Sequence, residues 1–162
     1  KNYIDYLKEA FLIIVLDRFS PKLKQQVIAP KKAYVVDHGI CNFLSFKLSK
    51  NMGNLFENII CVELLRRKAV KQDLEIYYWR DYQQNEVDFV VKEGRKIKTL
   101  IQSCYDLSDL ETREREVKGL IKASKELRCK DLLIINRDKE GEEIIDKVKI
   151  KFIPLWKWLL KK

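Results

Sequence analysis

At 162 residues, 46% hydrophobic and 35% charged, the chain suits one packed domain, or one with a small appendage, and lies outside the disordered range. Its formal net charge of +9 allows approach to a phosphate backbone by counterion release but specifies no site. Four cysteines 20 or more residues apart, a single histidine (His38) and no CxxC pair argue against zinc and fit buried thiols in a reducing cytoplasm.

The longest apolar run, FLIIVL at 11–16, is too short to span a bilayer, so a cytoplasmic protein without a membrane contact is expected. Starting at Lys1 without a methionine, the chain reads as a fragment of something longer. Charge is uneven along it. Residues 1–51 carry a net +5, residues 52–110 a net −1, and residues 111–162 again +5.

Tyr3, Ile4, Leu7, Ala10 and Phe11 share one helical face, and the Ile/Val-rich run after them predicts a switch to strand near Leu12. SPK at 20–22 signals a turn, and AYVV is a strand stopped by Asp37 and Gly39. Helix, strand, basic turn and strand resemble the last helix and wing of a winged-helix module. Lys22, Lys24, Lys31 and Lys32 then lie on or beside the wing as nucleic-acid contacts, although an ordinary solvated hairpin accounts for them equally well. ICNFLSFKL reads as a short helix, and His38 beside Asp37 as structural, since no nucleophile or second histidine supports it.

A helix is predicted over 54–68, with Phe56, Ile59, Ile60 and Glu63 on one face, Glu57 at its edge, and Arg66, Arg67 and Lys68 at its C-terminus. IYYW (76–79) and VDFVV (87–91) are strands joined by a polar turn, and TLIQSCY (99–105) is a third. Asp109 or Thr112 can cap a long helix ending near Glu126. DLLIIN (131–136) reads as a central parallel strand and KVKIKFI (147–153) as an alternating one. Pro154 then opens an amphipathic helix bearing Trp156 and Trp158.

Metal-dependent phosphodiester hydrolysis requires hard oxygen ligands for Mg²⁺ and a cation near the attacking water or the scissile phosphate. Gly53-x-x-x-Glu57 on the helix, Val87-Asp88-Phe89 on the second strand and Gln102-Ser103-Cys104 on the third could bring such groups to one end of a sheet. Period two puts positions 102 and 104 on the same face. The pattern resembles the PD-(D/E)XK nuclease core, which has an acid on the first helix, an Asp on the second strand, and Glu-x-Lys or Gln-x-Lys on the third. The resemblance implies an α/β, restriction-endonuclease-like core of order αβββαβ with a mixed sheet. It also implies Mg²⁺ or Mn²⁺ held by Glu57, Asp88 and Gln102. Cys104 stands where the lysine belongs. A cysteine is shorter and uncharged when buried, and losing a charge-stabilising group of this kind costs several powers of ten in rate. Lys96 or Lys98 would have to swing in to replace it. Structural readings of the same residues make Asp88 a hairpin charge and Glu57 a helix-edge partner for Arg80 or Arg113.

The phrases PKKAYVVDHGI, GNLFENIICVELLRR, IYYWRDYQQNEVDFVV, LIQSCYDLSDLETREREVKGL and PLWKWLL occur in this order. Together they resemble the C-terminal domain of prokaryotic, notably archaeal, AAA+ type ATPases, from about Tyr3 to Leu160. The resemblance implies a tail of a winged helix plus linker over 1–50 and the nuclease-like domain over 51–162. The partner it implies is the ATPase module of the parent chain. GxxxxGK[ST] is nowhere in the sequence, so no ATP binding through a P-loop is expected. Arg113 and Arg115 could contact a phosphate near the acidic residues, while Glu111, Glu114 and Glu116 fit a solvated face of mixed charge equally well.

Three functions are compatible with these residues. One is a catalytically degenerate module that binds DNA or a partner protein. Another is a metal-dependent endonuclease with an atypical third strand. The last is a self-association module using Trp156, Trp158 and the C-terminal helix.

Overall fold

A computed structural model of the chain describes residues 3–37, 39 and 52–161. The chain is mixed α/β. Helix α1 (Tyr3–Glu9), strand β1 (Ile13–Leu16), helix α2 (Leu23–Ile28) and strand β2 (Lys32–Val35) form an N-terminal hairpin unit. Helix α3 (Met52–Val70), strands β3 (Leu74–Arg80), β4 (Glu86–Glu93) and β5 (Lys96–Ser103), and helix α4 (Leu110–Leu127) follow. Strands β6 (Leu132–Asn136), β7 (Gly141–Ile145) and β8 (Val148–Pro154) and helix α5 (Leu155–Leu160) complete the chain.

The six-stranded sheet has the order β3-β4-β5-β6-β8-β7. β3, β4 and β5 form an antiparallel meander, and Gly94 supplies the left-handed turn (φ 59°) between β4 and β5. α4 then crosses over and delivers β6 parallel to β5, and β8 is parallel to β6. Both faces of the sheet are covered, which is why β4 reads as an unbroken apolar run rather than an alternating one. Phe89, Val91, Ile101 and Ile135 pack on one side with Phe56, Ile60 and Leu64 of α3. Val90, Leu100, Leu132 and Ile134 pack on the other with Val117, Leu120 and Ile121 of α4. Asp109 caps α4 by accepting the Thr112 N–H at 3.3 Å.

The hairpin is joined to this core. Ile14, Leu16 and Tyr34 pack among Phe56, Ile60 and Phe89. The Tyr78 N–H donates to the Asp17 carbonyl at 3.1 Å, and the Phe19 N–H donates to the Tyr78 carbonyl at 2.6 Å. Asn58 of α3 brackets Val35, accepting its N–H at 2.9 Å and donating to its carbonyl at 2.8 Å.

Several details depart from the expectations. Residues 23–28, beyond the predicted turn, form a helix. An extra strand, β7, lies at the sheet edge, with a burial too slight to leave an apolar pattern. β5 stops at Ser103, so Cys104 and Tyr105 have left the strand. Trp158 is turned inward beneath Arg67 (4.2 Å from guanidinium carbon to ring centroid), not outward as a self-association surface would need. Trp156 and Leu160 remain exposed. The helix expected after Gly39, His38 and Cys41 lie outside the described residues. Among the described residues, no helix is long and apolar enough to cross a membrane.

Candidate functional site

Three elements send four charged side chains to one point beside the ends of β4 and β5. Glu57 comes from the second turn of α3, and Glu86 and Asp88 come from β4, where alternation gives them the same face. Lys32 comes from the first residue of β2. Its Nζ lies 2.9 Å from Glu57 Oε1, 2.6 Å from Glu86 Oε1 and 2.9 Å from Asp88 Oδ1. The ammonium donates to Glu57 and Asp88 and forms an ion pair with Glu86. Two residues further along β2, the Tyr34 hydroxyl donates to Glu57 Oε1 at 2.6 Å.

The second oxygen of Asp88 accepts the Ser103 N–H at 3.0 Å, and the Asp88 N–H donates to Gln102 Oε1 at 3.2 Å. Gln102 Nε2 donates to Glu116 of α4, which Arg115 also grips. Gly119 allows this approach of helix to strand: a Cβ there would stand 2.6 Å from the Glu86 carbonyl oxygen.

Burial pushes the Asp88 carboxyl up, to about 7, against the pull of Lys32. Burial opposes the charge on Lys32, but Asp88, Glu57 and Glu86 outweigh it and raise the ammonium well above the ordinary lysine value. Burial and the neighbouring Glu57 likewise raise the Tyr34 hydroxyl. Cys104 is buried, its thiol is pushed up to about 11 by burial and by Glu116, and it donates to the Asp106 carbonyl at 3.3 Å. It is a neutral thiol at ordinary pH, not a cation.

A cleft of about 830 Å³ opens over the site. Glu57, Glu86, Asp88, Asp106, Asp109 and Glu116 line it, and among the described residues Arg115 is the one cation that does. Gln102 and Cys104 both reach it. A divalent metal does not fit this arrangement as it stands. The carboxylates that would face it hold Lys32, and the Gln102 oxygen holds the Asp88 N–H. Among the described residues, no group of three or more His, Cys, Asp or Glu side chains is arranged to hold a metal ion.

The residues expected from sequence separate accordingly. Glu57, Asp88, Gln102 and Cys104 gather at the cleft. Of the basic set, Lys32 points into the acidic centre and Arg115 sits at the cleft, while Lys31 pairs with Asp17 and Arg113 with Glu143 of β7. Lys22 and Lys24 are exposed on and beside α2. Lys98 pairs with Glu93 at the far end of β5, and Arg80 with Glu86, so neither Arg80 nor Arg113 is the partner of Glu57 or Asp88. Glu86 was missed, although it lies two residues before Asp88 and just ahead of the predicted strand 87–91. The junction with Lys32 had no local signal.

Residues 52–158 match the model of the family described as domain of unknown function DUF4143. The chain belongs to that family. This DUF4143 chain is 41% identical over 165 residues to the uncharacterized protein MJ1544 of Methanocaldococcus jannaschii, covering 98% of this chain and 35% of that protein. It is 26% identical over 155 residues to an uncharacterized protein of Haemophilus influenzae, covering 96% of this chain and 36% of that one. The chain thus spans about a third of the length of the curated relatives it matches. Among solved structures it is similar to a chain in an assembly of Thermococcus gammatolerans McrB AAA+ hexamers with bound McrC. The TM-score is 0.42 and the identity 18%, over 64% of this chain and 28% of that one. A likeness this slight bears on no conclusion about function.

Proposed function

We propose that this DUF4143 chain is a nuclease-like module that does not cleave, and that it serves an AAA+ type ATPase as a binding and coupling arm. The observation that carries this reading is Lys32. Its ammonium occupies the carboxylate oxygens that would otherwise bind metal, while a neutral thiol stands where the PD-(D/E)XK pattern has its lysine. The meander, crossover helix and parallel strand agree with the αβββαβ core. The ATPase association rests on the ordered resemblance of motifs from Tyr3 to Leu160. The relatives' greater length leaves room for such a module.

Among the described residues the cleft is lined by six carboxylates against one cation, so a DNA backbone is disfavoured there and meets the chain instead at the exposed Lys22 and Lys24 on and beside α2. Affinity for DNA should then fall steeply with salt, with a slope set by the few phosphates neutralised. Absence of affinity even at low salt would leave partner-protein binding as the role. Cleavage is tested with Mn²⁺ on plasmid and branched DNA, comparing the chain with Asp88→Ala. Silence from both is expected. Cutting that disappears in the variant overturns the reading.

A metal-dependent endonuclease is the second reading, and it requires Lys32 to yield its carboxylate oxygens to a metal while staying close to the site. Lys32 brings to Asp88 and Glu57 the charge that the third strand lacks. In that case cleavage by the unaltered chain is lost in both Asp88→Ala and Lys32→Met.

A further inference from the structure

We infer that the Lys32 ammonium is the resident cation of the Glu57–Glu86–Asp88 centre, so that its seating there and binding of a divalent metal exclude one another. The inference rests on the non-cleaving reading and specifies what fills the site. Three carboxylate oxygens lie 2.6–2.9 Å from one nitrogen, which is hydrogen-bond spacing for an ammonium. Mg²⁺ would need its oxygens at roughly 2.0–2.1 Å, in near-octahedral geometry. The lysine is no stray surface side chain. It is fixed by the strand that also sends Tyr34 to Glu57 and that Asn58 grips at Val35. Lys32 and Tyr34 share one face of β2 by alternation, so a single short strand delivers both contacts.

A metal ion entering this centre would have to share its carboxylate oxygens with a positive charge, and it could be accommodated only if Lys32 left. Lys32 can leave by turning its own side chain outward, with Tyr34 and Val35 still held by Glu57 and Asn58. Metal entry is therefore coupled to displacement of the Lys32 ammonium. Conversely, the docked hairpin supplies the centre with a cation without metal. The centre then acts as a joint between residues 13–35 and the sheet.

The test counts bound Mn²⁺ by the electron paramagnetic resonance signal of the free ion, for the unaltered chain, Lys32→Met, and Lys32→Met combined with Asp88→Asn. Methionine keeps the apolar stem and removes the charge. The expected result is no saturable site in the unaltered chain at millimolar Mn²⁺. Lys32→Met should bind one Mn²⁺ at least tenfold more tightly, and Asp88→Asn should abolish that gain. Equal binding by the unaltered chain and Lys32→Met overturns the inference, and so does absence of binding in a folded Lys32→Met. Should that variant not fold, melting of the unaltered chain decides the matter. A ligand that binds only the native state raises its melting temperature, so Mn²⁺ is expected to leave it unchanged or lower it. A rise that Asp88→Asn removes overturns the inference. DNA cutting reports on the non-cleaving reading and Mn²⁺ binding on this one, so Mn²⁺ bound without cutting sinks only the present inference.

Discussion

Lys32 Nζ lies 2.9 Å from Asp88 Oδ1, across 56 residues of chain and between two different sheets. The Asp88 side chain is 9% exposed and that of Lys32 22%, so this is a contact with little water to replace either partner. Removing the ammonium leaves buried carboxylates without compensation, which typically costs about 3–5 kcal/mol. Lys32→Met should lower stability by that order in urea denaturation. Adding Asp88→Asn should recover part of the loss, because the two effects are coupled. Equal losses that simply add would mean the pair is not a unit.

The same pair sets a pH dependence. Burial holds the Asp88 carboxyl at about 7, above its ordinary 3.8. A carboxyl raised in the folded state binds its proton more tightly there than in the unfolded chain. Its contribution to stability is complete below the ordinary value and disappears as pH rises through about 7. In Lys32→Met the restraining ammonium is gone, so the deficit against the unaltered chain should be smaller at about pH 5 than at about pH 8. Melting curves at the two values check this, and a deficit independent of pH contradicts it.

Glu63 predicts the opposite sign. It accepts from Arg66 Nε and Arg67 Nε, each at 2.7 Å, and those hydrogen bonds, Arg66's foremost, hold its carboxyl below the ordinary 4.5. Arg67 continues to the Trp158 carbonyl at 2.8 Å, so the cluster ties α3 to α5. This stability is present above pH 4.5 and lost as pH falls through the lowered value. Acid titration of the melting temperature should therefore be shallower in Glu63→Gln. Parallel curves would remove Glu63 from the account.

Gly119→Ala tests the packing beneath the site. Alanine is the better helix former by roughly 1 kcal/mol, yet its Cβ would meet the Glu86 carbonyl oxygen at 2.6 Å. Backbone cannot yield as a flexible side chain can, and overpacking of this kind costs about 1–3 kcal/mol. A net loss of stability is expected, with a disturbed Lys32–Glu86 contact. A gain in the denaturation midpoint would mean that α4 shifts freely over β4.

Thiol reactivity tests the assignment of Cys104. Burial raises Cys61 to about 12, and burial with Glu116 raises Cys104 to about 11. The thiolate is the reactive form. Both thiols should resist iodoacetamide in the native chain at about pH 8 and react on unfolding. Peptide mapping by mass spectrometry distinguishes them. Rapid native labelling of Cys104 would mean an activated thiol and a different chemistry for the cleft.

The sheet and its helices were largely legible because apolar runs, a capping Asp109 and polar turns coincide from α3 to β6. β7 was not legible: GEEII lies at an edge where only Glu143 and Ile145 are half-buried, so no alternation is imposed. Among the site residues, Glu57, Asp88 and Gln102 lay on predicted elements with a known spacing. Lys32 read as a wing lysine because its surroundings in sequence are basic and turn-like. Its partners are 25 and more residues away, and no local pattern encodes which charge it meets. One residue's destination thus changes the site from a metal cradle to an ion-pair joint.

Anomalous diffraction from crystals of the unaltered chain grown with Mn²⁺ tests that joint most directly. The account predicts no manganese peak within ligand distance of Asp88, and Lys32 Nζ seated among Glu57, Glu86 and Asp88. A peak bound by Asp88 and Glu57, with Lys32 displaced from them, would contradict it.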